Sequence, residues 1–482
     1  MLNQSFSFEN LKTIHEIENR KGNYYKDFYS QTYHITSTLL IEKRYEIKLE
    51  RAKSMPNEEN YKKLLEEKDN LEKLKDNYLE TDLNNFSNAI NQKTFNFKLT
   101  PFIPEPGSKT IYTCNKEAVS FFAMKQLQHN IFRTLKVKQS NRYQIVKQVK
   151  TLLQDTFPKF IIRTDIRQFY ESVPQYQLLK LIEHSSLLSP KSISLIKNLI
   201  YNYNLLTNQL IVNEKLRIGI PRGVGISPFL AELYMKKIDE EIKSIQDVTF
   251  YGRYVDDIII IFTPRSKYST ENYLNLIKRI IADKGLNIKD GSIQGETSKT
   301  IEINLLNDNN VRKDIDFLGY KFQIINSKLE EVKLSDNKKS KYKARIEKSI
   351  DVYIKEYIYN RKEARKLLIH RFQYLTKNTR LHRPKKGIIG IYYSNSLIEK
   401  NCKCLTELDR MLYRTIDQKL PAATYGRLNS RLKKFSFSKG FCDKSFYHIN
   451  SKTKNIPELR SVKYKNSKPL MNSFEKIVEA WK

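Results

Sequence analysis

Two adjacent aspartates lie in the segment that most constrains the fold of this chain. Asp256 and Asp257 follow the run VTFYGRY and precede the run IIIIF. Both runs are rich in the β-branched and aromatic residues that favour strands, so the pattern predicts a β-hairpin with two carboxylates at its turn. Neighbouring carboxylates repel each other and raise each other's pKa. We therefore expect a cation to bind at this turn.

The charge of the chain indicates a polyanionic partner. Its 482 residues include 86 Lys and Arg against 53 Asp and Glu, which gives a formal charge of +33. A surplus of this size favours nucleic acid as the partner. Compositional bias is the alternative, because the chain is also rich in Asn and Ile, and such bias can inflate Lys without a binding role. The length allows roughly three domain-sized units.

The sequence predicts a cytoplasmic protein with no membrane partner. Its four cysteines have no spacing typical of a zinc site, and reduced thiols are usual in a reducing cytosol. The longest aliphatic run, Ile258 to Ile261, is far too short to span a bilayer. The first residues, MLNQSFSFENLK, lack the basic start and apolar stretch of a signal peptide.

The periodicity of the N-terminal region predicts helices. Residues 1–100 contain a long segment of mixed charge, broken at Ser54–Asn57 into a helical hairpin. Such a hairpin is either a solvated, salt-bridged element or an arm for oligomerisation or RNA contact. The run PFIPEPGSK, residues 101–109, predicts a loop at a domain boundary, and a basic helical region follows up to Lys159.

A third aspartate precedes the pair. The run KFIIRTDI predicts a buried strand that ends at Asp165, 91 residues before Asp256. Between them, the loop GIPRGVG leads into a helix that Ser227 could cap. A lone Asp-Asp pair is usually a solvated turn, but this ordered set suits phosphoryl transfer by two metal ions. One ion lowers the pKa of an attacking 3′-hydroxyl and the other neutralises a leaving pyrophosphate, at a separation of about 4 Å.

These segments occur in the order found in the palm of reverse transcriptases. Asp165–Tyr170 resembles the first palm motif of that family, and Ile220–Pro228 resembles the second. Tyr254–Asp257 resembles the Tyr-x-Asp-Asp box, and Phe317–Tyr320 resembles the hairpin that grips the primer. The resemblance covers at least residues 105–330.

The resemblance implies an α+β right-hand polymerase with fingers, a palm built on an antiparallel sheet, and a helical thumb. It implies an RNA-directed DNA polymerase that adds deoxynucleotides to a 3′-hydroxyl with two Mg²⁺ ions, or with Mn²⁺. The expected regions are a helical N-terminal region (1–100), fingers (101–163), palm (164–330), basic helical thumb (331–400) and C-terminal extension (401–482).

The resemblance also assigns roles to individual residues. The expected catalytic residues and metal ligands are Asp165, Asp256 and Asp257, with Ile166 as a further metal ligand. The expected nucleotide-binding residues are Lys109, Arg142, Tyr170, Arg222, Gly223 and Lys299. Among these, Tyr170 matches the gate that excludes a ribose 2′-hydroxyl, and Lys299 matches a lysine near the departing pyrophosphate. The expected primer grip consists of Phe317, Leu318, Gly319 and Tyr320.

Arg222 departs from the pattern, because many relatives have Gln there. The added positive charge would lie beside the incoming nucleotide, where it could grip a phosphate or the edge of a templating base. We expect altered nucleotide or template choice from this difference.

The C-terminal third resembles the unknown-group, defence-associated reverse transcriptases of bacteria, in particular the type-three subgroup, with retron and group II intron enzymes as more distant relatives. Residues Ile388 to Ser396 carry this resemblance. It implies a role in antiphage defence, a noncoding RNA as template or scaffold, dNTP substrates and a DNA product. A homo-oligomer or a second polymerase subunit is a further expected partner.

Several functions remain open from sequence. A template-independent or protein-primed DNA polymerase could use the same palm, and a non-catalytic nucleic-acid-binding protein could retain it as a relic. An RNA-directed RNA polymerase is disfavoured, because Tyr170 fits a gate against ribose.

Overall fold

The computed structural model of the protein describes most of the chain. The described residues are 3–21, 26–54, 57–185, 187–265, 272–306, 312–381, 387–399, 402–447 and 473–481.

Helices account for most of the described residues. They are α1 (Phe8–Arg20), α2 (Gln31–Arg51), α3 (Glu58–Asn91), α4 (Ala118–Leu135), α5 (Arg142–Gln154), α6 (Phe169–Ser172), α7 (Gln175–Glu183), α8 (Pro190–Leu206), α9 (Ser227–Lys243), α10 (Tyr273–Ala282), α11 (Asp336–Tyr357), α12 (Arg361–Thr376), α13 (Lys403–Lys419), α14 (Ala422–Leu432), α15 (Phe437–Cys442) and α16 (Ser473–Glu479). Short 3₁₀ turns cover Lys26–Phe28, Gln209–Ile211 and Glu214–Leu216. Within the described ranges, none of the helices has both the length and the apolar character that crossing a bilayer requires.

The strands form small sheets. They are β1 (Leu99–Phe102), β2 (Ile111–Cys114), β3 (Phe160–Asp165), β4 (Val248–Tyr254), β5 (Asp257–Phe262), β6 (Ile301–Asn304), β7 (Lys313–Phe317), β8 (Tyr320–Ile325), β9 (Lys328–Leu334), β10 (Asn378–Leu381) and β11 (Gly387–Gly390). The sheet orders are β1-β2, β4-β5-β3-β6, β7-β8-β9 and β10-β11. The pairs β1-β2, β3-β6, β7-β8, β8-β9 and β10-β11 are antiparallel.

The chain divides into two compact units. The first contains residues 1–140, 164–258 and 270–300, and the second contains residues 141–163, 259–269 and 301–482. The boundary passes through β3 and β5, so each of these strands contributes residues to both units. These units follow a different division from the expected fingers, palm and thumb, whose boundaries stay a prediction.

The N-terminal helical hairpin is confirmed. Helices α2 and α3 pack along each other, and Asn57 caps α3 by accepting a hydrogen bond from the amide of Asn60. Lys43 pairs with Glu67 across the hairpin at 2.7 Å. Ser54 and Asn57 of the predicted break are described, whereas Met55 and Pro56 lie outside the described residues.

The strands predicted around the aspartates are confirmed. Strand β3 ends at Asp165, and β4 and β5 flank a turn at Val255 and Asp256. Strands β3 and β5 are mostly buried, with the aliphatic residues Ile258 to Ile261 of β5 in the core, whereas β4 is partly exposed.

Two local predictions were wrong. Ser227 does not cap α9: it is the first helical residue, and its hydroxyl donates a hydrogen bond to the carbonyl of Pro221 at 2.6 Å. The loop predicted at residues 101–109 is confirmed from residue 103 onward, but its first two residues belong to β1, and β2 lies where a basic helical region was predicted. Pro101 lies in β1, where a two-stranded sheet exposes strand edges that tolerate a residue without an N–H.

The second unit has its own sheet and core. Strands β7, β8 and β9 bury Ile315, Phe322 and Val332. The basic helical region predicted from about residue 335 begins with α11 at Asp336, in agreement with the sequence. Residues Ile388 to Ser396 include part of β11 and a turn in which Asn395 is buried.

Candidate active site

Backbone hydrogen bonds bring two of the predicted catalytic aspartates together. The amide of Ile166 donates to the carbonyl of Asp256 at 3.1 Å, and the amide of Lys289 donates to the carbonyl of Asp165 at 2.7 Å. Ile166 also forms an antiparallel bridge with Ile288 and is itself buried. The residue after Asp165 is therefore held against the turn that carries Asp256.

The charges at this site are incompletely balanced. Burial raises the pKa of Asp256, and the negative charges of Asp165 and Asp257 raise it further. Asp165 is only 4% exposed, and its carboxylate accepts a hydrogen bond from the ammonium of Lys299 at 2.8 Å. Lys299 lowers the pKa of Asp256 more weakly than burial and Asp165 raise it. The predicted metal ligands thus form a region of like charge, with the Lys299 ammonium beside Asp165.

The carboxylates of the predicted metal ligands fit an Mg²⁺ ion whose remaining ligands come from water and a bound substrate. Within the described part of the chain, no group of three His, Cys, Asp or Glu side chains is arranged to hold a metal ion. Mg²⁺ commonly takes one or two protein carboxylates and completes its octahedron with waters and substrate phosphates. Asp165 and Asp256 provide two carboxylates of this kind, and a bound cation would offset their repulsion.

The turn that carries Asp256 has a strained backbone and is held by the side chain of Arg253. Val255 has φ +61°, a backbone conformation that is unfavourable for a β-branched residue. The guanidinium of Arg253 donates to the carbonyl of Val255 at 2.9 Å. Arg253 is also paired with Glu232 at 2.6 Å and with Asp239 at 2.7 Å, both on α9. The sequence analysis missed Arg253, because its acidic partners are 14 and 21 residues away.

A second residue missed from sequence, the acidic Glu171, contacts the predicted nucleotide-binding cations. Glu171 accepts two hydrogen bonds from Arg222, at 2.7 and 3.0 Å, and one from Lys109 at 3.2 Å. The guanidinium of Arg222 also lies 5.1 Å from the centre of the Tyr170 ring. Although burial favours the neutral acid, the hydrogen bonds and charges of Arg222 and Lys109 lower the pKa of Glu171. The structure thus groups Lys109, Tyr170 and Arg222 around one carboxylate.

Gly223 allows two backbone segments to approach closely. It has φ +93°, and a Cβ atom there would lie 2.4 Å from the side chain of Ile111 and 2.9 Å from the carbonyl of Tyr112. The amide of Tyr112 donates to the carbonyl of Arg222 at 2.7 Å. Gly223 therefore fixes the position of Arg222 against strand β2, which is a structural contribution that the sequence did not indicate.

The predicted primer grip is a tight hairpin in the second unit. Phe317 ends β7 and Tyr320 begins β8, and the two residues between them have positive φ, as type I′ turns require. Arg142 donates a hydrogen bond to the carbonyl of Leu318, and its guanidinium lies 5.6 Å from the centre of the Tyr320 ring. Arg142 therefore contacts the primer-grip hairpin, and its nucleotide-binding role stays a prediction.

Residues 110–322 match the family model described as reverse transcriptase (RNA-dependent DNA polymerase). The chain carries a reverse transcriptase domain. The matched family is one of nucleotidyltransferases, and the match confirms the predicted α+β polymerase fold class for this domain. The domain includes every predicted site residue except Lys109, which lies immediately before it. No curated protein matches the chain.

Solved telomerase structures resemble the protein weakly. A Candida tropicalis apo telomerase truncated of its C-terminal domain is 14% identical, with a TM-score of 0.33, over 49% of this chain and 54% of that one. A Candida albicans telomerase with a fragment of telomeric RNA is 13% identical, with a TM-score of 0.34, over 73% and 66% of the two chains. The protein thus spans only part of these larger chains, and at such scores the likeness adds no argument to the domain match.

Proposed function

We propose that the protein is an RNA-directed DNA polymerase that extends a 3′-hydroxyl with deoxynucleotides. The observation that carries the proposal is the pairing of the Ile166 amide with the Asp256 carbonyl, which brings the Asp165 and Asp256 segments together within a reverse transcriptase domain. Carboxylates on adjoining segments suit a transfer assisted by two metal ions, which supports the proposed mechanism.

The reaction forms one phosphorus–oxygen bond and breaks another. The oxygen of the primer 3′-hydroxyl loses its proton to solvent and bonds to the α-phosphorus of a dNTP, while the bond from that phosphorus to pyrophosphate breaks. Divalent ions, in the proposal two Mg²⁺, would activate the hydroxyl and stabilise the leaving pyrophosphate. Asp165 and Asp256 would hold these ions, with Asp257 and the backbone of Ile166 assisting. The ammonium of Lys299 would add positive charge near the departing pyrophosphate.

The group around Glu171 would bind and select the nucleotide. Arg222 and Lys109 provide the charge-assisted donors that phosphate oxygens favour. Tyr170 is half-buried beneath Arg222, where its ring would oppose a ribose 2′-hydroxyl. Because Glu171 already binds both cations, an incoming triphosphate would have to share them with that carboxylate or displace it.

The proposal extends to the biological role. The formal charge of +33 favours a nucleic-acid partner, and the resemblance of the C-terminal third favours a bacterial defence enzyme of the type-three subgroup. We propose that a noncoding RNA serves as template or scaffold, that the DNA product acts in antiphage defence, and that the protein works in the cytoplasm.

Nucleic acid that purifies with the protein tests this proposal. The full chain and an Asp256→Ala/Asp257→Ala variant are isolated from cells, and all bound RNA and DNA are sequenced. We expect one discrete RNA in both samples and DNA complementary to it only with the active protein. DNA that matches no bound RNA would contradict RNA-directed synthesis and favour an untemplated or protein-primed polymerase. Identical DNA in both samples would contradict polymerase activity.

A further inference from the structure

We propose that Arg167 is a positioning residue: it clamps the loop of residues 290–298 and so sets the position of Lys299 relative to Asp165. The proposal rests on the proposed polymerase function and adds to it a role for Arg167, which lies within the first palm motif but has no role assigned there. Its basis is the set of contacts at the two ends and along the length of this loop, all within the first unit.

The base of the loop is closed by hydrogen bonds next to the catalytic carboxylate. The amide of Lys299 donates to the carbonyl of Lys289 at 2.8 Å, so the two ends of the loop are joined. The hydroxyl of Thr300 donates to the same carbonyl at 3.0 Å and lies 2.8 Å from the hydroxyl of Thr164. The amide of Lys289 in turn donates to the carbonyl of Asp165.

The body of the loop is held by the side chain of Arg167. Its guanidinium makes two hydrogen bonds to Glu296, at 3.1 and 2.8 Å, and one to the hydroxyl of Ser292 at 3.2 Å. It also pairs with Asp290 at 3.4 Å, and Lys278 pairs with the other oxygen of Asp290 at 2.8 Å. A bidentate contact between a guanidinium and a carboxylate fixes the relative orientation of the two side chains as well as their distance.

Burial separates this clamp from a surface ion pair. The side chains of Arg167, Glu296 and Asp290 are 18%, 14% and 16% exposed, respectively. Lys299 is by contrast 44% exposed, although the carboxylate that it contacts is almost completely buried. The rigid part of the loop is therefore the clamp, and the lysine is the accessible group at its end.

The position of Arg167 in the chain links the clamp to the catalytic site. Arg167 is two residues after Asp165, and its own amide donates to the carbonyl of Asn287 at 2.8 Å. One short segment thus carries both the catalytic carboxylate and the residue that holds the loop. Any shift of the loop relative to this segment changes the distance between Lys299 and Asp165, and therefore the positive charge available to the leaving pyrophosphate.

A double-mutant cycle on primer extension tests the proposal. Arg167→Gln is measured in the wild-type chain and in a Lys299→Met chain, on a defined RNA template with a DNA primer and dNTPs. We expect Arg167→Gln to lower kcat by about tenfold with KM for dNTP within about twofold, because it alters transition-state stabilisation more than binding. In the Lys299→Met chain we expect less than about a twofold further loss, because residues that act through one another are not additive.

Two further variants keep the test decisive. Glu296→Gln weakens the same clamp from the loop side with a smaller change, so it replaces Arg167→Gln if that variant fails to fold, and we expect the same dependence on Lys299. Arg312→Gln is the matched control, since Arg312 also makes two contacts to one carboxylate, that of Asp314, but is 55% exposed. We expect it to leave kcat unchanged.

Three results would overturn the proposal: full kcat in both clamp variants, an equal loss with and without Lys299, or full activity of Lys299→Met alone. Failure of the proposed function would be distinct, because the wild-type chain would then incorporate no more deoxynucleotide than Asp256→Asn.

Discussion

Arg253 forms two hydrogen bonds with the carboxylate of Glu232, at 3.1 and 2.6 Å, and the side chains of both residues are almost completely buried. The same guanidinium reaches Asp239 and the carbonyl of Val255. Helix α9 is thereby tied to the turn that presents Asp256. The turn at Val255 and Asp256 is thus held in an unfavourable backbone conformation by a buried ion-pair network.

Arg253→Met is expected to destabilise the protein strongly. The substitution leaves Glu232 and Asp239 without their shared cation, and removing one partner of a buried ion pair typically costs about 3–5 kcal/mol. The free energy of unfolding from urea titration measures this loss. Arg312→Gln serves as the control, because exposed pairs contribute about 0–1 kcal/mol. Equal stability of the two variants would contradict the anchoring role.

Glu171→Gln is expected to strengthen nucleotide binding. The substitution removes the charge that neutralises Arg222 and Lys109, so both cations become more available to phosphate oxygens. We expect the KM for dNTP to fall by about two- to tenfold, which corresponds to about 0.4–1.4 kcal/mol. Glu183→Gln is a matched control, because Glu183 pairs with Lys197 at a more exposed position. A higher KM in Glu171→Gln would indicate that the carboxylate orients Arg222 for binding.

Gly223→Ala is expected to impair both folding and activity. The new methyl group would lie 2.4 Å from Ile111 and 2.9 Å from the backbone of Tyr112, at a φ of +93° that L-residues rarely adopt. Gly426→Ala is the control, because it lies in helix α14 with no atom within 4 Å of the added Cβ. Alanine favours helices, so we expect the control to gain up to about 1 kcal/mol. A melting temperature of Gly223→Ala equal to that of the wild type would contradict the close approach of Gly223 to strand β2.

Much of the reverse transcriptase domain could be predicted from short sequence segments. Short runs of apolar, β-branched and aromatic residues located β3, β4 and β5, and the aspartates were recognised from their positions at the ends of these runs. The β1-β2 hairpin could not be predicted in this way, because four-residue strands that include Pro101 carry little periodic signal.

The residues that position the site were the ones missed. Arg167 lies 129 residues from Glu296, and Arg222 lies 51 residues from Glu171. Such pairs form only when the strands assemble, so no local pattern reveals them. Arg222 differs from the glutamine that many relatives have at this position, which is visible in the sequence. Its pairing with Glu171 and the supporting role of Arg253 are visible only in the folded structure.

Lys338→Met is expected to stabilise the protein at neutral pH. Burial lowers the pKa of Lys338 to about 8, and the charges of Arg142 and Lys341 contribute. The charged form is thus disfavoured in the folded state, and the unfolded chain binds more protons between pH 8 and the ordinary value of 10.5. Stability from this group should rise with pH across that window. In Lys338→Met, urea titrations should show this rise reduced, and an unchanged pH dependence would contradict the assignment.

Primer extension by Asp256→Asn tests the central claim most directly. The wild-type chain and the variant are compared on an RNA template with a DNA primer, dNTPs and Mg²⁺, together with a thermal melt of each protein. Asparagine removes a half-buried charge that repels Asp165 and Asp257. We expect the variant to melt at or above the wild-type temperature and to extend no primer, while the wild type copies the RNA. RNA-dependent extension by the variant at the wild-type rate would contradict a polymerase that relies on these aspartates.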